Sequence, residues 1–61
     1  MKNRRQFQFK VVSGGYGGDQ ETEYLEFLQE LGLRHYVFSV EWEWKSSVVR
    51  IATVTVDNYE E

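Results

Sequence analysis

Phe7, Phe9 and Val11 alternate with Gln6, Gln8 and Lys10, and the same period of two returns later in the chain. There Tyr36, Phe38, Val40, Trp42 and Trp44 fall on one side, and Val37, Ser39, Glu41 and Glu43 on the other. Such alternation is the pattern of a strand with one dry and one wet face. A third segment, residues 48–56, is β-branched almost throughout and apolar on parts of both faces, as expected of a central strand. Only one stretch has a helical period. Tyr24, Phe27, Leu28 and Leu31 recur at i, i+3, i+4 and i+7, with Leu25 on the flank. The order is therefore β-α-β-β, an α+β fold in which a three-stranded antiparallel sheet, order 1-3-2, carries one helix on one face.

The boundaries follow from the residues between these runs. The first strand is expected over about 5–12, a glycine-rich loop over 13–18, the helix over about 19–32, strands over about 34–45 and 48–56, and an acidic tail over 57–61. Asp19 suits the helix start, Glu21 and Glu23 suit the positive end of its dipole, and Gly32 is expected as the C′ residue. A three-residue turn, Lys45 to Ser47, would pair Trp44 with Val48, Trp42 with Arg50, Val40 with Ala52, Phe38 with Val54 and Tyr36 with Val56. A shift by one would mix the faces, which is costly when one face is buried. The whole chain, 1–61, reads as a single small domain.

Composition narrows the classes of function. The chain has 61 residues, no cysteine, no proline and one histidine, with seven basic residues against ten acidic ones for a net charge of −3. That argues against a multidomain enzyme, a disulfide-stapled module and a cysteine-ligated zinc site. No apolar run approaches the roughly 18 residues of a membrane span. Lys2, Arg4 and Arg5 are followed by alternation instead of a continuous apolar segment, so no secretory signal is expected and a cytoplasmic protein is. A domain of this size buries only about 60% of its unfolded surface, and its core rarely supplies more than about 3–5 kcal/mol. Two things could compensate: aromatic residues, which make up 16% of the chain, or a second subunit. A homodimer or a partner-bound state is the expectation.

Little in the sequence points to catalysis, and no cofactor, metal ligand or catalytic residue is expected. His35, the sole imidazole, is expected beside Asp57 as a boundary ion pair. Glu41 and Glu43 share the wet face of a strand without a visible cleft. The loop Gly14-Gly15-Tyr16-Gly17-Gly18 lacks the lysine and hydroxyl of a phosphate loop, and Asp19, Glu21 and Glu23 would repel an anion there. Asp19 and Glu21 also lack calcium-loop spacing. Tyr16 is expected to fold over an edge of the core.

Charge and aromatic placement are more telling. Residues 19–30 carry Asp19, Glu21, Glu23, Glu26 and Glu30 with no lysine or arginine. Glu23, Glu26 and Glu30 form a self-repelling ridge opposite the apolar stripe, suited to a partner with a basic surface. A helix of about 12 residues is about 18 Å long, whereas an 11-residue strand is about 36 Å. The hairpin must overhang the helix, and Trp42 and Trp44 stand at its turn end, covered by Leu25, Phe27 or the glycine loop, or else exposed. Arg50 is placed to stack on Trp42. The expected function is a non-enzymatic protein-binding module using Glu23, Glu26, Glu30, Trp42 and Trp44. The alternative is a single-stranded nucleic-acid binder using Arg4, Arg5, Phe7 and Phe9, which the acidic balance disfavours. In that first strand Arg4 and Arg5 would also lie close enough to Asp57, Glu60 and Glu61 to neutralise the tail. No motif is specific to a family. The element order resembles that of small phage-encoded proteins that bind and inhibit host enzymes, which implies an inhibitor or modulator of a host complex, acting in the host cytoplasm.

Overall fold

The computed structural model describes residues 3–14 and 17–59. The expectations for Lys2, Tyr16, Glu60 and Glu61 fall outside these. The elements are β1 (Arg5–Val12), α1 (Glu21–Leu33), β2 (Val37–Trp44) and β3 (Val49–Asp57). The sheet is antiparallel in the order β1-β3-β2. The α+β architecture read from the two periodicities is the one that forms.

The period of two sorts each strand into faces. On one face Phe7 and Phe9 flank Ala52, Val54 and Val56, and on that face Tyr24 and Leu31 of α1 close a core with them, with Phe27 and Leu28 packed against it. Phe27 lies 4.8 Å from Phe7 and 5.4 Å from Phe9 between ring centroids, and Phe9 lies 5.9 Å from Tyr24. These tilted pairs bury large rings at small cost in side-chain entropy. On the other face Gln6 and Gln8 reach across to Thr55 and Thr53.

Three local expectations are corrected. First, β2 pairs with β3 two residues away from the expected register, with Trp44 opposite Arg50, Trp42 opposite Ala52, Val40 opposite Val54 and Phe38 opposite Val56. The cause is the turn. Ser46 Oγ accepts the amides of Val48 and Val49, and Val49 O accepts those of Lys45 and Ser46, so four residues, 45–48, are held in the loop. A slip of two keeps every side chain on its face, so the hydrophobic pattern does not resist it. Correspondingly, the strands span Val37–Trp44 and Val49–Asp57, and Asp57 belongs to β3 and not to a tail.

Second, Asp19 lies outside the helix. Its Oδ1 accepts the amides of Glu21 and, across space, of Val12, while Gln20 is the residue that borders α1. Third, the helix continues through Gly32. The amide of His35 donates to Gly32 O and that of Tyr36 to Leu31 O, the paired bonds of a Schellman ending. His35, at φ 59°, is the left-handed residue that reverses the chain into β2.

This exchange of roles sets two expectations. A Cβ at Gly32 meets nothing within 4 Å, so Gly32→Ala should stabilise the fold by about 0.5–1 kcal/mol. His35→Gly should gain a similar amount, about 0.5–1 kcal/mol, by removing the strain of a left-handed side-chain-bearing residue. Thermal unfolding of each variant measures both.

Candidate surface for a partner

The overhang inferred from element lengths is where the two tryptophans lie. Trp42 is 43% exposed and Trp44 59% exposed. Arg50, opposite Trp44 in the register, lays its guanidinium 4.4 Å from the Trp42 ring centroid and 5.6 Å from that of Trp44. Its Nε is shut off from solvent and has no hydrogen-bond partner. The indole faces, and not an acceptor, therefore hold this end of the charge. The residue that covers Trp42 is Tyr24, edge-on at 5.3 Å, whereas Leu25 is 55% exposed. Tyr24 was readable as part of the helical stripe, but its reach across the sheet to β2 depends on how α1 crosses the strands.

The acidic ridge is exposed at Glu23, Glu26 and Glu30, but one member is paired. Glu30 Oε1 accepts a 2.8 Å bond from Arg34 Nε, just past the helix end. That bond to Glu30, and after it one to Tyr36, holds the Arg34 pKa above the usual arginine value. Among the described residues, the ridge is thus paired at Glu30 and not at Glu23 or Glu26. Replacing all three acids with Gln should leave stability within about 0.5 kcal/mol, because losing the Glu30–Arg34 pair offsets the relief of repulsion. Chemical denaturation checks this, and a loss well beyond that range would mean that the ridge is a structural element.

The basic strand is arranged differently from the nucleic-acid alternative. Phe7 and Phe9 turn toward the helix and pack against the core. Arg4 donates to Asp57 Oδ1 at 2.9 Å, and Arg5 lies 5.9 Å from the Phe7 ring centroid and 5.8 Å from that of Tyr59. The expected His35–Asp57 pair does not form, because the left-handed turn at His35 precedes β2 and Arg4 takes the carboxylate. At that end of the sheet, remote from the tryptophans, Asn3, Arg4, Val37, Asp57 and Asn58 line an open depression of about 530 Å³. Glu41 and Glu43 lie exposed along β2, and Lys45 donates to Glu43 Oε1 at 3.1 Å.

Among the described residues no three His, Cys, Asp or Glu side chains are grouped to hold a metal ion, and no helix is long and apolar enough to cross a membrane. Compared with known proteins, the chain matches no family model, no curated sequence and no solved structure.

Proposed function

We propose that the chain is a non-enzymatic protein-binding module, an inhibitor or modulator of a larger complex in the cytoplasm. The supporting observation is the hairpin end, where two tryptophans remain 43% and 59% exposed around a stacked arginine. Tryptophan and arginine are the residues that most often dominate binding energy at protein interfaces. The free acids Glu23 and Glu26 add a field that favours a partner with a basic surface and speeds encounter with it.

Capture from a cell lysate with the immobilised chain tests this reading. A specific protein should be retained by the wild type and lost with Trp44→Ala, a change expected to leave the fold intact. With the triple Glu-to-Gln variant, association should slow and its salt dependence weaken. Equal retention by wild type and Trp44→Ala would overturn the role given to the hairpin end. Retention of a generic oligonucleotide in place of a protein, falling steeply with salt, would transfer the function to Arg4 and Arg5 at the start of β1.

A further inference from the structure

We infer that the outer edge of β2 is a homodimer interface, in which two copies pair antiparallel about Val40 to make a continuous six-stranded sheet. The inference rests on the hairpin as a contact surface and names the occupant of its strand edge. β1 and β2 are the two edges of the sheet. The β1 edge is sealed at its turn end. Gln20 bonds both the amide and the carbonyl of Lys10, at 2.9 and 2.7 Å, and Asp19 accepts the amide of Val12. Among the described residues, none bonds the outer backbone of β2 in this way.

The direction of the free groups on β2 follows from the ladder. Lys45 N donates to Val49 O, and the same register runs through Glu43–Ile51, Glu41–Thr53 and Ser39–Thr55. Antiparallel bonding alternates, so these odd-numbered residues face β3. Phe38, Val40, Trp42 and Trp44 then aim their N–H and C=O groups outward. The same four residues carry large apolar side chains, yet β2 is the strand without a single buried residue. An edge with open backbone groups and half-exposed aromatic rings is a template for another strand.

Self-complementarity argues that this strand comes from a second copy. Both copies must keep their core faces on the same side, so only every second register is allowed. Two such registers overlap most of β2. One sets Glu41 against Glu41 of the second copy, two carboxylates on strands whose Cα atoms are about 4.5 Å apart, which is repulsive. The other sets Val40 on the two-fold axis. There Phe38 faces the second copy's Trp42, Tyr36 its Trp44, and Ser39 its Glu41. That register bonds every outward group from Phe38 to Trp42 and lays each exposed indole beside an aromatic ring of the other copy. A single strand-to-strand pairing is small beside the roughly 1,200–2,000 Å² that specific complexes usually bury, so micromolar dissociation is expected.

Sedimentation of the full chain and a set of single-cysteine variants test the dimer. The mass should rise from one chain to two between about 1 µM and about 500 µM. Because the chain has no cysteine of its own, cross-links report register directly. Under mild oxidation Val40→Cys should link to itself, and Ser39→Cys should link to Glu41→Cys when the two are mixed. Each of those two alone should link at least about 10-fold less, because their Cα atoms are then beyond the reach of a disulfide. Self-linkage of Glu41→Cys, or a dimer that none of these pairs traps, would overturn the pairing about Val40. A chain that stays monomeric throughout would overturn the dimer altogether, and would leave the lysate capture to decide whether a different protein uses this surface.

Discussion

Leu31→Ala is expected to leave the chain largely unfolded at room temperature, with a loss of about 3–4 kcal/mol. Leu31 is 1% exposed and packs in the cluster formed by Tyr24, Ala52, Val54 and Val56. It is the largest of the fully buried side chains, ahead of Val54 and Val56, and the carbonyl of the same residue receives the Tyr36 amide that ends the helix. Removing it opens a void at the point where α1 meets β3 and where the chain reverses into β2. The whole domain holds only about 3–5 kcal/mol, so a single cavity of this kind consumes most of it. Circular dichroism and amide-proton dispersion read the result. Leu33→Ala is the control, since Leu33 is 70% exposed and should lose almost nothing. A Leu31→Ala variant that melts cooperatively within a few degrees of wild type would show that the core is not centred on this contact.

Trp42→Ala and Trp44→Ala should separate folding from binding. Trp42 receives Tyr24 edge-on at 5.3 Å and Arg50 at 4.4 Å, so its removal uncovers Tyr24 and strands the arginine. Full burial of such a ring would be worth about 3–5 kcal/mol. With 43% of Trp42 in solvent, about 2–3 kcal/mol is expected after scaling for the buried part. Trp44 touches the arginine from farther away, at 5.6 Å, and is 59% exposed. Its loss should cost below about 1 kcal/mol. Unfolding must be followed at submicromolar concentration, where pairing of copies contributes least. In the capture assay the order should reverse, with Trp44→Ala causing the clear loss of association in a folded chain. If Trp44→Ala unfolds the chain as readily as Trp42→Ala does, the hairpin end belongs to the core and not to a contact surface.

The residues themselves determined the element order, the α+β class, the central place of β3 and the inward face of every element. These rest on periods of two and 3.6, and burial of one face enforces them whatever the details of pairing. The stripe Tyr24, Phe27, Leu28 and Leu31 was legible for the same reason, but not whether the hairpin tryptophans are covered, and Arg50 stacks on Trp42 from a position opposite Trp44. Only the tertiary structure decided what depends on distance along the chain without changing a face. The β2–β3 register moved by two because Ser46 Oγ gathers two amides and lengthens the turn. His35 and not Gly32 took the left-handed position, because the last core contact of the helix, Leu31, sets where the chain must turn. Asp19 reached Val12 and Arg34 reached Glu30 through the way the ends of α1 meet their surroundings, so one acid seals a strand edge and another leaves the ridge partly neutralised. Local pattern carries which side of an element is apolar. Which amide a carboxylate or hydroxyl finally binds is settled by packing, where alternatives differ by about 1 kcal/mol and no periodicity distinguishes them.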